Sequence, residues 1–358
     1  MRGRWPGLKS LQRLQSQAKT GAPTWPALRG RTQPGTPAHN RLMSAVPARL
    51  PATAPSAASP APHRLDARQF WVLLLLTLFW GLNWPIMKLA VAEMAPLSFR
   101  ALSLLLGLPC LALALLVMKV PFRVPRAEWA QVGRLALTNM MVWHVLLILA
   151  LPHLNSGRAA ILGYTMPVFS ALWGRTLFGE RLAPRQLAGV AAAGGAVMLL
   201  LWHEFTRLSG APLAAGAVLV AALVWGLGTQ QLRRAHTSVG TLTISFWMTA
   251  ATTVVLVLLA LLFETARWRM PGQAAVWAIV YNGALVFGYC HAAWFFLART
   301  LTPVASSTSV MLIPVLGIGS GALFLGEQLH WQDGAAVALI LLAIGLVLLP
   351  GRRAKLSG

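Results

Sequence analysis

Carboxylates are the scarcest functional groups in this chain: 8 of its 358 residues are Asp or Glu, against 30 Lys or Arg. They are scattered singly, mostly at the ends of apolar runs. Clustered acids that bind metal and diphosphate, or a His-rich set, would mark a membrane-embedded enzyme acting on a lipid or isoprenoid substrate. Neither is present, which disfavours that alternative; no enzymatic activity, catalytic residue, metal ligand or cofactor is expected. Cysteine is limited to Cys110 and Cys290, each inside an apolar run; the spacing suits no metal site, and a disulfide between two such thiols is not expected. No Gly-rich phosphate loop occurs, which disfavours an ATP-driven pump.

Apolar length is what the chain has in excess. Hydrophobic residues make up 57% and charged residues 11% of the sequence, far from the roughly one-quarter charged residues of soluble proteins. Ten runs approach the roughly 20 residues that cross a bilayer: 70–90, 97–118, 129–151, 156–178, 184–202, 212–232, 241–263, 273–296, 303–325 and 332–350. The links between them are short, which leaves no room for a soluble catalytic domain. The sequence predicts an all-α integral membrane protein.

Basic charge is unevenly placed. Residues 1–65 hold ten Lys or Arg and no acid, and this Arg-, Pro- and Ala-rich stretch (1–66) is expected to be disordered. It reads as a cytoplasmic arm touching anionic lipid, as a transit peptide, or as sequence upstream of a true start at Met43. Nothing in it calls for nucleic acid as a partner. Within the membrane part, Arg123, Arg126, Arg181, Arg185, Arg233 and Arg234 fall on one side, with the basic tail at 351–358, whereas the other side has Arg158, Arg207, Arg267 and Arg269. The bias predicts two cytoplasmic termini.

The segment Pro167–Leu182 (PVFSALWGRTLFGERL) recurs 147 residues later as Pro314–Leu329 (PVLGIGSGALFLGEQL), and the shared residues include Pro, Gly and Glu. Shared punctuation of this kind indicates duplication, with halves at 67–202 and 212–350. Five spans per half, an odd number, would insert the two copies in opposite senses, as in transporters built from inverted repeats. FWGLNWPIMKLA (Phe79–Ala90) is echoed by VWGLGTQQLRRA (Val224–Ala235). With FGERL and LGEQL, these segments resemble the EamA-type repeat of the drug/metabolite transporter superfamily. That resemblance implies a ten-helix secondary carrier of a bacterial plasma membrane, with a central cavity between two five-helix halves, often a metabolite exporter handling amino acids or related compounds.

Pro167 and Pro314 lie within apolar spans and are expected to kink their helices and take part in gating. Gly179, Glu180, Gly326 and Glu327 form a repeated structural motif, its glutamates expected to cap or pair with the start of the next helix. Polar groups at membrane depth read first as functional. His144 and His291 are also 147 residues apart and are candidates for binding a carboxylate or carrying a coupling proton; the alternative is a neutral structural hydrogen bond. Trp80, Asn83, Trp84, Asn139, Trp143, Tyr164, Trp225, Gln230, Tyr281, Tyr289 and Trp294 are candidate walls of a solute site, whereas Trp129, Trp202, Trp268, Trp277 and Trp331 suit interfacial anchoring. Lys88 either snorkels to the headgroups or stays inward, where with Arg100 and Arg158 it would line a positively charged vestibule. The implied partners are a small solute, the bilayer and, as one coupling option, protons.

Overall fold

The computed structural model describes residues 66–206, 211–300 and 312–348. Expectations for the basic tails, for the link through Arg207 and for the start of the run at 303 lie outside them. Among the described residues every regular element is helical. Seven helices are long and apolar enough to cross a membrane, and two shorter apolar helices follow. The helices are α1 (Ala67–Glu93), α2 (Pro96–Val117) and α3, which runs without a break through Trp129–Ala136, Leu137–Met141 and Val142–Ala150. Next come α4 (Ser156–Gly163), α5 (Met166–Phe178), α6 (Pro184–Thr206), α7 (Pro212–Arg233) and α8 (Thr241–Phe263). Then follow α9 (Gln273–Val280, Tyr281–Cys290 and His291–Thr300), α10 (Ile313–Leu325) and α11 (Trp331–Leu348).

The run at 156–178 departs from expectation. It divides at Tyr164–Thr165 into α4 and α5, and Pro167 stands in the first turn of α5, where its missing N–H is no loss. Pro314 occupies the same place in α10. Each proline therefore starts a helix and does not kink one. In α3 and α9 the central segments, Leu137–Met141 and Tyr281–Cys290, widen to π-helix, a form that occurs mainly as insertions near functional sites.

The scarce acids close helix ends. Asp66 caps α1 in a reciprocal pair with Gln69, and Glu264 accepts from the backbone N–H groups of Leu97 (3.0 Å) and Ser98 (2.7 Å) at the start of α2. Glu93 accepts from Ala275 N–H at the start of α9, at 3.2 Å. Glu128 is the exception, accepting from the backbone N–H and hydroxyl of Ser238 in the loop before α8. Asp333, in the first turn of α11, forms a buried ion pair with Arg158 of α4 at 2.7 Å. A carboxylate among exposed helix N–H groups is favoured by hydrogen bonding and by the helix dipole.

The duplication reappears in the packing. Gly81 of α1 lies against Leu316 of α10, so closely that a Cβ would collide, and Gly226 of α7 lies in the same way against Phe169 of α5. Small residues let helix backbones approach where no hydrophobic force between helices operates. Trp129, Trp202, Trp268, Trp277 and Trp331 are all exposed, whereas Trp84 and Trp143 are buried, which separates surface indoles from interior ones.

Candidate functional site

Trp80, Asn83, Trp84 and Met87 fall at helical spacing on one face of α1. Trp84 turns towards Trp143 of α3, and both indoles crowd the position where Gly163 would carry a Cβ. Trp84 also borders Gly317 of α10. Trp143 meets Trp225 of α7 edge to face, with ring centroids 5.6 Å apart, and Trp80 meets Trp294 of α9 at 6.0 Å. Tyr164, at the break between α4 and α5, packs against this interior cluster. Aromatic residues from both halves of the sequence thus meet in one place.

A polar group adjoins them. Phe287 lies between the two histidines, with centroids 5.4 Å from His144 and 5.7 Å from His291. His291 Nδ1 donates to the Val286 carbonyl at 3.0 Å, within the π-helical stretch. Both ring nitrogens of His144 are buried without a hydrogen-bond partner among the described residues. Arg100, only 2% exposed, donates to Asn282 Oδ1 at 3.2 Å and points Nη2 at Met87 Sδ, 2.6 Å away. Asn83 Nδ2 reaches the same sulfur at 3.4 Å. Asn83 Oδ1 and Arg100 Nε, like His144, have no partner among the described residues.

Other candidate residues are held elsewhere. Lys88 donates to the carbonyls of Leu151, Pro152 and Leu154 at 2.7–2.9 Å, just past the end of α3. Arg158 pairs with Asp333, so Lys88, Arg100 and Arg158 do not form a vestibule: two are tied to separate helix ends and the third is interior. Asn139 bonds within its own helix to the Leu135 carbonyl and packs on Gly228. Gln230 donates to the Ser170 carbonyl at 2.6 Å. Tyr281 and Tyr289 pin α9 to α1 through the carbonyls of Phe79 and Val72.

The repeated Gly-Glu corners do not cap the helices that follow them. Glu327 accepts from Ser156 N–H (2.7 Å), Ser156 hydroxyl (3.0 Å) and Gly157 N–H (3.4 Å), and so caps α4. Glu180 accepts from Arg234 Nη2, just past α7, at 2.5 Å, and Arg234 also donates to Gln230. In each corner the carboxylate folds over a glycine, Gly174 or Gly321, where a Cβ would collide with it. Surface clefts occur beside Lys88 and Glu327 and between α10 and α11, and none of the central residues lines either one. The residue whose direction the sequence left open is Arg100. Its position near the start of α2 permits either direction, and only packing against α1 and α9 turns it inward.

Two stretches of the chain, residues 69–202 and 212–349, match the EamA-like transporter family. The uncharacterized transporter YoaV of Bacillus subtilis (strain 168) is 24% identical over 72% of this chain and 88% of its own length. The uncharacterized inner membrane transporter YedA of Escherichia coli (strain K12) is 27% identical over 78% of this chain and 90% of its own. A probable terminal-alkyne amino-acid exporter of Streptantibioticus cattleyicolor is 28% identical over 73% and 86%. A chain of known crystal structure superposes with a TM-score of 0.57 at 20% identity, covering 80% of this chain and 99% of its own.

Proposed function

Because this chain belongs to the EamA-like transporter family, we propose that it is a secondary carrier that moves a small metabolite across a bacterial cytoplasmic membrane by alternating access, as an exporter. The observation that carries this reading is the central group itself. Indoles from α1, α3, α7 and α9 converge beside polar atoms that lack partners, which suits a medium-sized, partly apolar solute. The amino-acid exporter among the relatives supports an amino acid or related compound as cargo.

The proposed architecture is ten spans in two inverted halves, with both termini cytoplasmic. It is supported by the corner contacts: Glu327 caps the start of α4 and shares a cleft with Lys88, whereas Glu180 meets Arg234 just past the end of α7. Halves related in this way can rock about a midplane site. His144 and His291, on either side of Phe287, are the proposed proton-handling groups if transport is driven by a pH gradient.

The test is flux of radiolabelled amino acids and nucleobases into vesicles holding the purified chain, with and without an imposed pH gradient. Saturable accumulation supports a proton-coupled carrier, and saturable equilibration supports a facilitator or exchanger. No saturable flux of any compound contradicts the reading.

A further inference from the structure

We infer that Arg100 is the specificity-determining residue of the central site, recognising a carboxylate on the solute; this rests on the carrier reading above. Arginine stays charged in proteins, and a buried charge normally has an opposite charge beside it. Here the partners are neutral: the Asn282 amide oxygen and the Met87 sulfur. No carboxylate among the described residues pairs with Arg100, because Asp66, Glu93, Glu180, Glu264, Glu327 and Asp333 are engaged at helix ends and Glu128 accepts from Ser238 in the loop before α8. The faces of Phe99 and Phe287, each 5.7 Å from the guanidinium carbon, supply partial compensation.

A neutral side chain of the same size would fill this position at lower cost if filling it were the only requirement. The guanidinium instead retains donors beyond its two bonds, with Nε unpartnered, and its planar fork matches a carboxylate. The neighbouring unpartnered atoms extend the match. His144 can add a donor to the same anion. The Asn83 oxygen, on an amide that reaches the same Met87 sulfur as Arg100, can accept from a hydroxyl or amino group next to the solute's carboxylate. Trp84 and Trp143 remain for its apolar part. The solute class is therefore a small organic acid with a hydrogen-bond donor close to its carboxylate.

Thermal unfolding of the full-length purified chain tests this with matched pairs of 2-hydroxy acids and their uncharged amides, from lactate to phenyllactate, and with inorganic phosphate. At least one acid should raise the midpoint saturably while its amide does not. Arg100→Lys should weaken that acid by about tenfold or more, the order expected for loss of a charge-assisted pair, and Arg100→Gln should abolish the shift. Ligand-free Arg100→Met should melt at or above the wild-type midpoint, since it removes an uncompensated buried charge. Equal shifts with amide and acid, a shift with phosphate alone, no shift with any acid, or a ligand-free Arg100→Met that melts well below wild type would each overturn the inference. Vesicle flux of the same pairs separates the two readings. Equal flux of acid and amide leaves the carrier standing and removes the role of Arg100, whereas acid binding without flux does the reverse.

Discussion

Gly179 and Gly326 have left-handed backbones, with φ of 66° and 63°, and each ends a helix so that the next residue, a glutamate, can turn back over it. Only glycine adopts that conformation without cost, so Gly179→Ala or Gly326→Ala should each destabilise the fold by about 1 kcal/mol, read from unfolding in mixed detergent. Their recurrence in sequence made these corners legible, because no composition bias would repeat a Gly-Glu pair at a fixed distance from a proline. The glutamates' partners were not legible: Ser156 is 171 residues from Glu327, and only the packing of α4 on α10 joins them. The two histidines were legible as a pair, and Phe287, which lies between them, was not. If they carry the proton, His144→Gln or His291→Gln should remove flux driven by a pH gradient while leaving solute counterflow intact. Gradient-driven flux that survives in both variants would end the proton role.

At the scale of elements, α4 is a short helix anchored twice at its start. Its N-terminal N–H groups bind Glu327, and Arg158, in the same first turn, binds Asp333, with side chains only 7% and 5% exposed. Removing one partner of a buried pair leaves the other charge unpaired, so Asp333→Ala should cost about 3 kcal/mol. The double change Arg158→Met with Asp333→Leu should recover most of that loss. Glu327→Ala should cost about 2 kcal/mol through the lost cap, and Glu327→Gln less, because one acceptor oxygen remains. The break before α5 escaped sequence reading because Tyr164 and Thr165 carry no turn signal of their own. Pro167 follows the break and does not cause a kink, as a proline in a first helical turn conserves every hydrogen bond of the helix it begins. The apolar runs themselves were legible because bilayer thickness fixes their length.

At the scale of the whole molecule, the proposed inverted arrangement rests on an odd number of spans per half, and side-specific labelling tests it. In a background lacking Cys110 and Cys290, cysteines introduced at Arg181 and at Gln328 should react with an impermeant thiol reagent from opposite faces of the membrane; labelling from the same face would refute inversion. Charge asymmetry and repeat spacing are what suggest this proposed arrangement, whereas the meeting of Trp84, Trp143 and Trp225 was not legible, since surface and interior indoles look alike in sequence and only burial divides them. That division gives the most direct test of the central claim that solute passes through the interior group. The measurement is the concentration dependence of flux in vesicles for Trp143→Ala and for Trp277→Ala, which lies at the surface, 65% exposed. The account predicts that Trp143→Ala changes the half-saturating concentration by about tenfold, as expected for loss of a buried aromatic contact, and that Trp277→Ala leaves it unchanged. Equal kinetics for wild type and Trp143→Ala would contradict it.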